Sequence, residues 1–188
     1  MCIWVYYNNN IRVYIYMYLY IYYLKVTILV SLLMGEEDMV MVIENGKATG
    51  IKIAYVGGGS RGWAWGLMSD LAVEESMNGT VSLYDIDFQA AKDNETIGNK
   101  IKDTEGVKSV WKYEAVHTLQ EALTGADFVI ISILPGTFDE MQSDVHTPEK
   151  YGIYQSVGDT TGPGGIVRAL RTVPMFVTIA EAIRDYCP

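Results

Sequence analysis

The chain has 188 residues and a formal net charge of -9, enough length for one domain with a sizeable core. The acidic balance argues against nucleic acid or an anionic membrane surface as the main partner. Cys2 and Cys187 stand at opposite ends, with no metal or redox spacing between them. Together with the fold argued below, they point to a reducing, cytoplasmic setting. No internal repeat appears at solenoid periods.

Residues 1–38 read as a Tyr/Ile-rich extension. Eight of the 14 tyrosines precede Met34, and Val13–Tyr23 alternates aliphatic residues with tyrosine. Three readings stand open. Ile11–Met34 is long enough for a transmembrane helix, although Lys25 sits within it and a period of two suits a strand better. A signal peptide fits less well, since the alternation is no h-region and no small-residue cleavage site follows. The third reading is that the segment is not translated. Its Ile, Tyr, Asn and Lys are what AT-rich noncoding DNA yields, and Gly35-Glu36-Glu37 can be encoded by a purine-rich ribosome-binding sequence. The expectation is a start at Met39 or Met41, which a native peptide beginning before Met34 would overturn.

A domain is expected over residues 50–188. Glu44–Gly50 reads as a polar lead-in to Ile51–Val56, where five of six residues are apolar, as in a strand buried on both faces. The strand runs into Gly57, Gly59 and Gly62, spaced G-x-G-x-x-G, with Ser60 and Arg61 between. In a dinucleotide site the first glycine permits the tight turn and the second admits the pyrophosphate. The third allows close packing of the following helix, expected over Trp63–Ser76, whose N-terminus faces the phosphates. Asn78-Gly79 signals a turn, and the next strand, Val81–Tyr84, ends at Asp85. An acidic residue at that distance reaches the ribose hydroxyls and repels a 2′-phosphate, so NAD is expected over NADP. The bland alternative is a strand–turn–helix without ligand.

Asp87 is placed to cap a helix over Phe88–Lys102. Trp111–Val116 reads as a strand and Leu119–Leu123 as a short helix closed by Gly125. Asp127 introduces a buried strand, Phe128–Ile133, broken by Pro135-Gly136. Alternating strands and helices imply an α/β fold, a doubly wound, mostly parallel, Rossmann-like sheet with the ligand beyond the strands' carboxyl ends. Gly57–Gly62, Asp85 and Leu134–Gly136, with Pro135 between, fall on that edge. Thr137–Gly165 reads as a polar loop. Its final Thr-Thr-Gly-Pro-Gly-Gly is unsuited to helix, and is either a second anion cradle or simple turn geometry. Ile166–Tyr186 should be an amphipathic helix kinked at Pro174.

These residues resemble glycoside hydrolase family 4, the NAD- and metal-dependent glycosidases, over Ile51–Pro188. The resemblance rests on Ile-Ala-Tyr-Val-Gly-Gly-Gly-Ser, Leu-Tyr-Asp-Ile-Asp and Ile-Ser-Ile-Leu-Pro-Gly. The most distinctive stretch is Lys150–Pro174, closest to the α-galacturonidase branch. The resemblance implies the N-terminal, NAD-binding part of an enzyme whose catalytic remainder lies beyond residue 188. Such enzymes oxidise C3 of the sugar with bound NAD, remove the C2 proton, eliminate the leaving group with a divalent metal (manganese) as Lewis acid, add water and return the hydride. It implies cofactor contacts at Gly57, Gly59, Ser60, Arg61, Gly62, Asp85, Pro135 and Gly136. Asp144 is implied as proton donor, with Asp159 and Thr160 lining a pocket for a sugar or uronide. No metal ligands are expected in this chain, and the full-length form should be a homo-oligomer. Met141-Gln142-Ser143 lacks the arginine of phosphoglycosidases, which argues against a 6-phosphorylated substrate. Arg168 and Arg171 invite pairing with a uronate carboxylate, although solvated helix arginines are the simpler reading. A lactate/malate-type dehydrogenase and an inactive nucleotide-binding remnant are the alternatives.

Overall fold

The computed structural model describes residues 41–157 and 161–187, and the backbone of two short strands before them. These are β1 (Ile3–Val5) and β2 (Tyr14–Tyr16), paired antiparallel with Trp4 opposite Ile15. The remaining expectations for residues 1–38 lie outside the described residues. Among the described residues, no helix is long and apolar enough to cross a membrane. Two compact units form, Cys2–Ser132 and Ile133–Pro188.

The first unit is built on β3 (Val42–Glu44), β4 (Lys47–Val56), β5 (Met77–Tyr84), β6 (Trp111–Val116) and β7 (Phe128–Ile131). β3 and β4 form an antiparallel hairpin across Asn45 and Gly46, whose φ angles of 51° and 77° suit a type I′ turn. The expected polar lead-in is therefore partly strand, and Asn45-Gly46 was its signal. The other strands are parallel, in the order β6-β5-β4-β7.

Asn78-Gly79 is not a turn but lies inside β5. Gly79 pairs with Ile51, where the β4–β5 register slips between Ala48 and Ile51. A Cβ at Gly79 would lie 1.8 Å from the Ile51 carbonyl oxygen, so the glycine is required by the approach of a neighbouring strand.

Three helices connect the parallel strands: α1 (Trp63–Val73), α2 (Phe88–Ile101) and α3 (Leu119–Leu123). Ile51, Ile53 and Tyr55 join Val81, Leu83 and Tyr113 in a core against Ala64, Met68 and Leu71 of α1 and Ala91 of α2. The intervening Ala54, Val56 and Ser82 are buried as well, as expected for strands covered on both faces. Each large buried side chain such as Met68 or Leu83 contributes about 1.5–3 kcal/mol. The chain runs from β4 through β5 to β6 and then back to β7, and with the right-handed crossovers that parallel strands take, this reverses the face on which the connection lies. That reversal, between β4 and β7, is where α/β sheets open a ligand crevice. Asp127 fixes the return: its carboxylate accepts from Lys52 N at 2.7 Å, and its own N–H donates to Lys52 O at 2.8 Å.

The second unit corrects the expected loop. Thr137 caps α4 (Phe138–His146), accepting from Asp139 N at 3.2 Å, while Glu140 reaches back to Thr137 N at 2.6 Å. This capping box, Thr-x-x-Glu, was present in the sequence. A 3-10 helix (Thr147–Tyr151) follows, ending on Gly152 with φ 74°. α5 spans Gly162–Tyr186, four residues earlier than expected, with Pro163 in its first turn and Pro174 in its interior. The glycine-rich run is thus helical. A Cβ at Gly164 would lie 2.9 Å from the Asp144 carbonyl oxygen and 2.3 Å from the Gln155 amide nitrogen, so this glycine lets α5 approach the end of α4.

Candidate nucleotide site

The parallel register aligns Val56 with Tyr84, so the glycine turn and Asp85 leave the sheet at the same edge. Gly57 and Gly58 both donate to the Tyr84 carbonyl, at 2.8 and 2.9 Å. Gly57 takes φ 96°, the left-handed region that a tight turn needs and that only glycine enters cheaply. Ser60 N closes the turn on Gly57 O at 3.1 Å, and Ser60 Oγ accepts from Trp63 N at 3.2 Å, capping α1. The serine hydroxyl proton is then left to donate.

The roles of the glycines differ from the expectation in two places. Gly58, which the spacing ignores, makes the close approach, since its Cβ would lie 2.8 Å from Leu83 Cβ. Gly62, expected to serve helix packing, faces open space, with nothing within 4 Å of an added Cβ. Gly59 is crowded from inside the protein: its Cβ would lie 2.8 Å from Ala90 Cβ and 2.9 Å from Asp85 Oδ2.

Asp85 is half-buried. Its Oδ2 accepts from Gly59 N at 2.8 Å and its Oδ1 from Asp87 N at 2.9 Å. Each oxygen keeps a lone pair, so the carboxylate ties the turn to β5 and still accepts two hydroxyl donors. Asp87 in turn caps α2 through Ala90 N at 3.2 Å. Together, Asp85, the Ser60 hydroxyl and the open space at Gly62 suit a ligand with a vicinal diol and a phosphate.

Two residues that sequence reasoning missed complete the turn. Asn94, 2% exposed, donates from Nδ2 to Gly58 O at 2.7 Å and to Ser60 O at 3.0 Å. Its Oδ1 accepts from Trp65 Nε1 at 2.7 Å. The signal was a polar residue on the buried face of α2, in step with Ala91 and Gly98.

Pro135 and Gly136 belong to the second unit, where Gly136 takes φ 89° and leads into the α4 cap. Asp144, on α4, is paired through both oxygens with Arg171 of α5: Nη1 lies 3.2 Å from Oδ1, and Nη2 reaches Oδ2. That pairing raises the Arg171 pKa. Neither arginine is simply solvated, because Arg168 is buried and Arg171 is half-buried against Asp144. Asp144, Gln155, Gly164 and Arg168 line a small cavity in this unit. Gln155 donates to the Asp144 carbonyl at 3.2 Å. Asp159 and Thr160 lie outside the described residues.

His117 stacks on Phe88 at 3.7 Å between centroids, and His146 contacts Glu149 at 2.9 Å. Among the described residues, no three His, Cys, Asp or Glu side chains converge as a metal site would require.

The strand order, the glycine turn and the acidic residue at one sheet edge define half of a Rossmann-type dinucleotide-binding fold. The chain belongs to the family 4 glycosyl hydrolases, whose sequence profile matches residues 52–188. An α-galacturonidase of Thermoanaerobacterium saccharolyticum is 72% identical over 144 residues, which cover 77% of this chain and 31% of that protein. The crystal structure of Bacillus subtilis lplD, assigned as a glucosidase, superposes with a TM-score of 0.67 at 64% identity, covering 73% of this chain and 31% of that one. A 6-phospho-beta-glucosidase of Thermotoga maritima, solved with manganese, NAD+ and glucose-6-phosphate, gives a TM-score of 0.59 at 26% identity, covering 73% and 32%. The chain therefore spans about a third of these proteins' lengths. Family membership sets aside the lactate/malate-type dehydrogenase.

Proposed function

We propose that this chain is the NAD-binding part of a glycosidase that cleaves α-galacturonides. The observation that carries the reading is the Asp85–Gly59 contact at 2.8 Å, which joins the acidic residue of β5 to the glycine turn of β4. Gly57, Gly59, Ser60, Arg61 and Gly62 would hold the pyrophosphate, and Asp85 the adenosine ribose. Pro135 and Gly136 would add contacts from the segment after β7. Bound NAD supplies a reversible hydride acceptor for the sugar. Asp85 favours NAD over NADP, because a 2′-phosphate beside a carboxylate is repelled.

The substrate class follows from the 72% identity to an α-galacturonidase and from the absence of arginine in Met141-Gln142-Ser143, both against a 6-phosphorylated sugar. Asp144 is the proposed proton donor. Arg171 orients it in the second unit with one contact to each oxygen, and each oxygen keeps a second lone pair to carry a proton. Asp159 and Thr160 would line the substrate pocket. Manganese would be bound outside the described residues. A cytoplasmic site of action and assembly of the full-length enzyme into homo-oligomers complete the proposal.

Calorimetric titration with NAD and NADP tests the cofactor reading. NAD should bind at least about tenfold more tightly, and Asp85→Asn should shrink that gap; equal affinity for the two would sink it. Galacturonide hydrolysis by the longer protein that contains this segment, with NAD and manganese added and without net NADH accumulation, tests the rest.

A further inference from the structure

A planar trans peptide points its C=O and its N–H in opposite directions. Any group that holds a carbonyl on one side therefore aims the next N–H at the other. Asn94 does this twice. Its amide holds Gly58 O at 2.7 Å and Ser60 O at 3.0 Å, and none of the peptide bonds in the described residues is cis. The Gly59 N–H is thereby directed away from α2, where it meets Asp85 Oδ2 at 2.8 Å. The Arg61 N–H is likewise directed away from Asn94. Gly59 N is bonded to Asp85 and Ser60 N to Gly57 O, and of the three only Arg61 is an exposed residue, so its N–H is the one open to a ligand.

The orientation of the amide is itself dictated by chemistry. Carbonyls only accept and the Trp65 indole only donates. One of the two possible amide flips satisfies all three contacts, and the other satisfies none. Trp65 Nε1 at 2.7 Å therefore locks the amide in the orientation that holds the turn.

We infer that Asn94, locked by Trp65, is the positioning residue of the glycine turn, presetting the Arg61 N–H toward a pyrophosphate. This inference rests on the proposal that the turn binds NAD. It differs from general core stability, because the Asn94 amide bonds directly to the backbone that a pyrophosphate would meet.

The test compares the wild-type chain with Asn94→Asp, which keeps the shape and loses the donors, and with Trp65→Phe, which keeps the ring and loses the lock. Affinities for NAD and for adenosine, which lacks the pyrophosphate, are measured together with amide hydrogen exchange at Gly59 and Arg61. Asn94→Asp should weaken NAD about tenfold or more and adenosine distinctly less, since Asp85 keeps its bond to Asp87 N, with faster exchange at Gly59. Trp65→Phe should show a smaller loss in the same direction, and it stands as the variant that folds if Asn94→Asp does not. Unchanged NAD affinity in both variants, or an equal loss of NAD and adenosine, overturns the inference. If the wild-type chain binds no NAD, the cofactor proposal fails separately. Exchange then decides the positioning role of Asn94: unaltered rates at Gly59 and Arg61 in both variants overturn it.

Discussion

Gly59 and Gly62 share a motif but not a physical reason, and substitution separates them. An alanine Cβ at position 59 would meet Ala90 Cβ at 2.8 Å and Asp85 Oδ2 at 2.9 Å. The Asp85 carboxylate can rotate only by surrendering its bond to Gly59 N, and Ala90 Cβ is fixed to the backbone of α2. Gly59→Ala should therefore cost about 1–3 kcal/mol of stability, as overpacking does, and weaken NAD as well. At Gly62 nothing lies within 4 Å of the added methyl, and its φ of -95° is open to any residue. Gly62→Ala should melt at the wild-type temperature yet bind NAD more weakly, since the methyl enters the space assigned to the pyrophosphate. Thermal melts paired with NAD titration separate the two, and a Gly62→Ala chain with unchanged affinity would remove Gly62 from the site.

At the scale of elements, two short helices depend on carboxylates. Glu121 accepts from Thr118 N at 3.0 Å and His117 N at 2.9 Å at the start of α3, and these N–H groups hold its carboxyl below its ordinary 4.5. Glu140 is lowered in the same way by the hydroxyl and then the N–H of Thr137. A carboxylate lowered by folding binds fewer protons in the native state than in the unfolded one. Its stabilisation is present above pH 4.5 and is lost as pH falls through the lower native value. Glu121→Gln or Glu140→Gln should lower the melting temperature at pH 7 and flatten the acid limb below pH 4.5; an unaltered limb in both would show that the boxes contribute no linkage. These same boxes mark the limit of legibility. β6 and α3 were readable to the residue, because hydrophobic runs and a cap bound them on both sides. α4 was not, because none of its residues is buried, leaving the cap as its only signal. The start of α5 was hidden because glycine and proline look like breakers until the crowding against Asp144 is known. Asn94 stands out locally as a polar residue on the buried face of α2, but what it holds lies 36 and 34 residues away, which no local pattern carries.

For the whole molecule, charge sets a competition whose sign can be decided. The formal net charge is -9, so the folded chain repels itself and also repels NAD, whose two phosphates outweigh its nicotinamide cation. Opposing this are ion pairs, of which Lys108–Glu75 and Lys112–Glu114 have well-exposed side chains. Exposed pairs contribute little, and salt weakens them too. Raising ionic strength from about 0.01 M to about 0.15 M shortens the Debye length from about 30 Å to about 8 Å. That removes most of the long-range repulsion while costing only the small benefit of the pairs. Salt should therefore raise the melting temperature of the chain and speed NAD association. Melts and stopped-flow mixing across that range check both, with sucrose at matched osmolality as the uncharged control. If association slowed with salt instead, the local field of the site would have to be positive enough to outweigh the acidic whole, and the Arg61 guanidinium beside the turn would be the first group to neutralise.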